Sequence, residues 1–188
     1  AGGASARGDL LVAADGVRSA IRSQILGPET VDYSGDFAWR SVIPADRLPA
    51  DFMPTDHVAW VGPGRHMVMY WVRNRQLLNI VGIVERDIDL EESWTVRADW
   101  REFKVDFDGW HADIQTVIDA SDRDECYRWA LNIRQPVFNW RSERAVVIGD
   151  AAHPMLPYLA QGAASAVEDA AILMRVLASD TPVPDALE

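Results

Sequence analysis

Gly149-Asp150-Ala151-Ala152-His153-Pro154-Met155-Leu156-Pro157-Tyr158-Leu159-Ala160-Gln161-Gly162-Ala163-Ala164 is the stretch that decides how this chain is read. Before it runs Arg144 to Ile148, an apolar segment of strand length. After it, Ala163 to Ala178 has helical periodicity, with Ala166, Ala170, Leu173 and Leu177 on one face. The stretch is therefore a strand end, one carboxylate, a loop stiffened by two prolines and a helix start built of small residues. A helix N-terminus presents unpaired N–H groups at the positive end of its dipole. Small residues at Gly162, Ala163 and Ala164 let a flat or anionic ligand approach that backbone. Asp150 can accept hydrogen bonds from ligand hydroxyls. The competing reading is a tight strand-to-helix connection with Asp150 as a turn residue.

Working outward, the same pattern occurs near the start. Asp9 to Ala14 (DLLVAA) is a continuous apolar run, the mark of a strand buried on both faces, and Asp15-Gly16 is a turn signal. Ser19 can cap a helix ending near Leu26, which Gly27-Pro28 stops. The middle differs. Phe37 to Ile43, His57 to Val61, His66 to Val72 and Gln76 to Val84 alternate and carry aromatic and β-branched residues, which predicts an antiparallel meander of four strands. Glu91 to Phe107 and Trp110 to Ala120 read as helices, and Cys126 to Ile133 as a further strand. Asp185 to Glu188 reads as the start of another helix. The order is α/β, antiparallel β, then α/β again, so the fold class is α/β (α+β) with a sheet domain inserted in a nucleotide-binding scaffold.

Composition narrows the function classes. The 188 residues carry 18 basic and 29 acidic side chains, a net charge of -11, which disfavours binding to a phosphate backbone. Lys104 is the sole lysine. Hydrophobic residues at 48% and charged residues at 25% are ordinary for a globular chain. The apolar runs are far too short to span a bilayer, so no membrane insertion is expected. No signal peptide is expected either. A lone cysteine, Cys126, fits a reducing cytoplasm and reads as a buried apolar residue. No paired His/Asp/Glu spacing predicts a metal.

GDAAHPMLPYLAQGAASAVEDA resembles the flavin-contacting segment of the single-component FAD-dependent aromatic hydroxylases, the salicylate hydroxylase and 3-hydroxybenzoate 6-hydroxylase type. DLLVAADGVRSAIR resembles the second fingerprint of that family, its Asp-Gly motif. FAWRSVIP, GPGRHMVMYWVRN, LLNIVGIVE and FDGWH resemble its substrate-domain segments. The resemblance runs from residue 9 to residue 188. It lacks the GxGxxG fingerprint that opens the family, so it implies an internal fragment of a longer protein. Gly62-Pro63-Gly64 sits between strands and is not that fingerprint.

The resemblance implies a Rossmann-like FAD-binding domain interleaved with an antiparallel substrate domain. Residues 1–34 and 136–188 would belong to the first and 35–135 to the second. It implies an oxidoreductase that uses FAD, NAD(P)H and O₂ to hydroxylate a small phenolic substrate through a C4a-hydroperoxyflavin. In this reading Asp150, following Gly149, bonds the ribityl chain. The backbone of Gln161, Gly162, Ala163 and Ala164 meets the pyrimidine edge of the flavin. Pro157 turns a carbonyl toward the substrate, and Asp15 and Arg18 support the pyrophosphate and NAD(P)H.

Asp15 is equally readable as an Asx-turn residue, and Arg18 and Arg22 as solvated helix charges. His66, beside the Gly-Pro-Gly turn, is the candidate base, with a strand-end polar residue as the alternative. Tyr70, Trp71 and Trp39 are candidate substrate-facing rings, with sheet core as the alternative. Other activities of the same scaffold (epoxidase, halogenase, reductase) stay open, although Lys104 lies away from the flavin loop. So do a truncated, non-catalytic fragment and a homodimer.

Overall fold

The computed structural model describes residues 3–86 and 97–188. Their contacts divide the chain into two compact units, residues 1–32 with 132–188, and residues 33–131.

The first unit holds a three-stranded sheet. Strand β1 (Leu11–Ala13) pairs in parallel with β8 (Ala145–Val147), in register Leu11↔Ala145 to Ala13↔Val147, and β8 pairs antiparallel with the short β7 (Arg141–Ser142). A crossover of this length joins the two parallel strands because parallel pairs cannot be closed by a hairpin. Helix α1 (Ala20–Leu26) follows β1, and α4 (Gly162–Leu177) and α5 (Val183–Ala186) follow β8. The expectation that the first strand is buried on both faces is corrected. Only Ala13 is buried, whereas Leu11 and Val12 are 48% and 41% exposed at the sheet edge. Helix α4 likewise buries none of its side chains, including the predicted stripe Ala166, Ala170, Leu173 and Leu177.

The second unit is a five-stranded sheet in the order β3-β4-β5-β2-β6, with β2 (Asp32–Pro44), β3 (His57–Gly62), β4 (Arg65–Val72), β5 (Leu77–Glu85) and β6 (Tyr127–Ile133). The β2–β5, β3–β4 and β4–β5 pairs are antiparallel. Strand β6 adds a fifth member to the four-strand meander. Helices α2 (Trp100–Asp106) and α3 (Ala112–Ala120) cover one face. The first part of the predicted Glu91–Phe107 helix lies outside the described residues; the helix observed starts at Trp100, where Asp99 accepts from Arg101 N and caps it.

Side chains alternate across a strand, so the register sorts them into two faces. The helix-covered face carries Phe37, Trp39 and Ile43, then Met67 and Met69, then Leu78, Ile80 and Val84, all buried. Trp39 stacks on Phe103 at 5.1 Å and donates its indole N–H to Asp106 Oδ2 at 2.7 Å. Gly82 opens room for Phe107, whose ring would lie 2.9 Å from an added Cβ. The opposite face carries Arg40, His66, Val68, Tyr70, Asn79 and Val81.

Candidate functional site: a braced carboxylate turn and a polar sheet face

In the first unit the chain leaves β8 through Gly149, whose φ of +58° is the left-handed region that favours glycine. A Cβ there would also lie 3.2 Å from Ala166 Cβ. Gly149 is therefore required by the backbone and by packing. The following residue, Asp150, is exposed, while Gly149, Ala151 and Ala152 are buried. Gly149 O accepts from Ala152 N at 2.8 Å and His153 N at 2.9 Å, which closes the turn. Among the described residues nothing donates to the Asp150 carboxylate.

The turn is gripped from α1. Arg22 is fully buried, and its Nη1 donates to Ala152 O at 2.5 Å and Ala151 O at 3.1 Å. Its Nε donates to Glu29 Oε2 at 2.6 Å, and Glu29 also pairs with Arg134 at 3.2 Å. The Arg22 hydrogen bond, helped by both positive charges, holds the Glu29 carboxyl below its ordinary value against the opposing effect of burial. Arg22 is thus not a solvated helix charge: it ties the Asp-Gly segment to the Gly-Asp turn. Asp15 serves α1. It accepts from Ser19 Oγ at 2.5 Å, Ala20 N at 2.9 Å and Ile21 N at 3.3 Å, and the Ser19 bond foremost lowers its carboxyl pKa. The sequence offered an Asx turn as the alternative for Asp15; its carboxylate instead reaches four to six residues on, to the start of α1. Arg18 is exposed.

Helix α4 begins at Gly162 with Gln161 as its cap residue, and no side chain caps it. Its first turn carries no acidic residue. A Cβ added to Gly162 would meet Asp150 Oδ1 and Met155 Cγ at 3.8 Å, an ordinary contact, and its φ is not positive. The fold itself therefore does not need glycine at 162. Ala163 and Ala164 are exposed, as is Pro157, which opens a short 3-10 turn (Pro157–Leu159) ending at the left-handed Ala160. The carboxylate of Asp150 and the start of α4, which no side chain caps, thus sit side by side. That arrangement accepts polyol hydroxyls on the carboxylate and a flat polar ring edge on the N–H groups, so the residues present fit FAD.

In the second unit, Tyr70 and Trp71 are neighbours on β4 and point to opposite faces. The expectation that both face one substrate is therefore corrected. Trp71 packs with the core and donates its indole N–H to Met53 O at 3.1 Å. Trp39 is core as well. Tyr70 and His66 share the face away from α2 and α3, four residues apart, with Val68 between them. Desolvation holds the His66 imidazole below its ordinary value, with the Asp36 charge opposing it. Directly beside Tyr70 in register is Asn79, which sequence reasoning missed. It is 4% exposed, and its Nδ2 has no hydrogen-bond partner among the described residues. A lone amide within the apolar run LLNIV was the available signal. Cys126 is buried, and its thiol is pushed up to about 12 by that burial, so it is no nucleophile. A pocket of about 490 Å³ lies among Phe52, Met53, Val58, Trp60, Met69 and Asp113, and none of the expected site residues line it. Among the described residues no group of His, Cys, Asp or Glu could hold a metal ion, and no helix is long and apolar enough to cross a membrane.

Comparison with known proteins bears on both units. The chain is 39% identical over 180 residues to 6-hydroxynicotinate 3-monooxygenase of Pseudomonas fluorescens, covering 94% of this chain and 46% of that protein. It is 34% identical to 3-hydroxybenzoate 6-hydroxylase of Klebsiella oxytoca, covering 90% of this chain and 42% of that protein. The chain thus spans less than half the length of these relatives. Klebsiella pneumoniae HpxO, solved with FAD and uric acid, superposes with a TM-score of 0.85 at 28% identity, over 98% of this chain and 46% of that one. The model of the FAD binding domain family matches residues 2–181, nearly the whole chain and both units, and the chain belongs to that family.

Proposed function

We propose that this chain is the part of an FAD-dependent aromatic monooxygenase that binds the ribityl–flavin end of the cofactor and presents the substrate-facing sheet. The observation that carries the reading is the exposed Asp150 carboxylate, unpartnered among the described residues, beside the uncapped start of α4. Asp150 accepts from ribityl hydroxyls. The backbone of Gln161 to Ala164 supplies donors and partial positive charge at the pyrimidine edge, which favours negative charge on the ring. FAD, when bound, supplies the oxygen-activating chemistry that no side chain here can provide, with NAD(P)H as the reductant. Pro157 stiffens the loop that opens toward the substrate. Asp15 and Arg18 act on the cofactor's phosphates and on NAD(P)H indirectly, through the placement of α1.

His66, whose imidazole desolvation holds below its ordinary value, takes the proton from a phenolic hydroxyl and so makes the ring electron-rich. Tyr70 offers a polar contact on the same face, and Val68 and Val81 an apolar floor. The relatives named as acting on hydroxynicotinate and hydroxybenzoate support a small aromatic substrate bearing a hydroxyl. We place the protein in the cytoplasm as a homodimer, with dioxygen as the second substrate.

The test uses the full-length protein that contains this chain. Asp150→Ala is expected to weaken FAD binding about ten- to hundredfold, as for loss of a hydrogen bond to a charged group. His66→Ala should lower hydroxylation of a phenolic acid by about 10²–10⁴ while FAD binding holds. Unchanged FAD affinity in the first variant defeats the cofactor assignment. Unchanged turnover in the second removes His66 as base.

A further inference from the structure

Asp169 lies two turns into α4 and faces back onto the carboxylate turn. A single oxygen, Oδ2, meets two partners: Gly149 N donates to it at 2.8 Å, and His153 Nε2 lies 2.6 Å away. Those partners flank Asp150 on either side in sequence. Both His153 and Asp169 are largely buried, and the His153 ring lies 5.0 Å from that of Trp140. From the other direction Arg22 holds the carbonyls of Ala151 and Ala152. The turn is therefore held by a carboxylate on its N–H side and a guanidinium on its C=O side. Of the residues from Gly149 to Ala152, Asp150 alone is exposed.

A side chain's direction follows the φ/ψ of its own residue. The φ/ψ of Asp150 is bounded by the peptide planes of Gly149 and Ala151. Fixing the Gly149 N–H, and tying His153 to the same oxygen, removes the rotations that would swing the Asp150 carboxylate away. We propose that Asp169 is a positioning residue that sets the aim of Asp150. This rests on the reading of Asp150 as the ribityl ligand. The contacts of Asp169 are with Gly149 N and His153 Nε2, so it acts through the turn.

The experiment is a double-mutant cycle on the full-length protein, read by FAD titration followed through flavin fluorescence. Asp169→Ala should weaken FAD about tenfold in the wild-type background. In the Asp150→Ala background the same change should cost less than about twofold, because the group it aims is gone. Asp169→Asn, whose amide oxygen can still accept from Gly149, should retain most of the affinity, and it keeps the test open if the alanine variant folds poorly. In FAD-free protein, Asp169→Ala should speed hydrogen exchange at Gly149 and Ala152 and leave the strands of the second unit unaffected. Equal tenfold losses in both backgrounds would show a general structural role and overturn the proposal, as would no loss in the wild type. If Asp150→Ala alone leaves FAD affinity unchanged, the ribityl reading fails first and the proposal fails with it.

Discussion

The two units of this chain are held together by different physics. In the second, large rings and aliphatic chains are buried between one sheet face and two helices: Phe37, Trp39, Phe103, Phe107, Met67, Met69, Ile80 and Ile118 are all essentially inaccessible. In the first, the buried apolar cluster is Ala13, Val147, Ala151 and Ala152, with Ile21, Ile25 and Trp140 packed against it. Its large apolar side chains Leu11, Val12, Leu159, Val167, Ile172 and Met174 are exposed instead. Beside that cluster the first unit holds an ionic network, Arg22–Glu29–Arg134, that ends on backbone carbonyls. Hydrophobic burial is non-directional, whereas hydrogen-bonded charges fix positions.

The largest effect that would break this contrast belongs to the second unit. Trp39→Ala removes a stacked, fully buried ring and leaves the Asp106 carboxylate short of a donor. We expect a loss of about 3–5 kcal/mol in chemical denaturation. A loss below about 1 kcal/mol would mean that this core is not what stabilises the sheet.

Next in size, Arg22→Met keeps the volume and deletes the charge. Glu29 is left with Arg134 alone, and the carbonyls of Ala151, Ala152 and Gln135 lose the Arg22 donor, so about 3 kcal/mol should disappear locally. Hydrogen exchange across residues 145–153 should speed up while β4 and β5 hold. Unchanged protection would sink the polar account of the first unit.

Acidification separates the units without mutation. The carboxyls of Glu29 and Asp15 both sit below their ordinary values, 4.5 and 3.8, in the folded state. Their contribution is complete above those values and is lost as pH falls through the lower folded ones. The first unit should therefore loosen below about pH 4 while the second persists. Trp140 is the single tryptophan of the first unit, so ¹⁹F NMR of fluorotryptophan-labelled protein can follow it separately. Simultaneous loss of all tryptophan signals would argue against the division. The smallest effect is at Gly162. Since the fold accepts a Cβ there, Gly162→Ala should raise stability by about 0.4–1 kcal/mol in thermal denaturation. FAD affinity should fall nonetheless, and unchanged affinity would show that no ligand approaches this backbone.

Much of this was legible in the sequence, and the failures follow a rule. Strand and helix positions came from period and punctuation: β3, β4 and β5 lie within one or two residues of their reading, and Ser19 does cap α1 through Arg22 N at 2.8 Å. The Gly-Asp segment forms the expected strand, turn and helix. What failed were statements about partners. Arg22 looked like a helix surface charge because no local pattern shows that a backbone carbonyl 130 residues away will meet it. Asp169 is silent for the same reason. Tyr70 and Trp71 were a different kind of miss, because a two-residue period already places neighbours on opposite faces. Asn79 was equally readable, as the one amide in an apolar strand.

The parallel pairing of β1 with β8 carries a consequence for how the protein is made. Residues 11 and 145 cannot meet until everything between them has left the ribosome. The intervening segment is the well-packed second unit, which domain-wise synthesis lets fold as soon as its own strands are out. Its first and last strands, β2 and β6, are neighbours in one sheet, so its folding turns a long floppy loop into a rigid bridge. The entropy of joining β1 to β8 then falls to that of the short tails outside the insert.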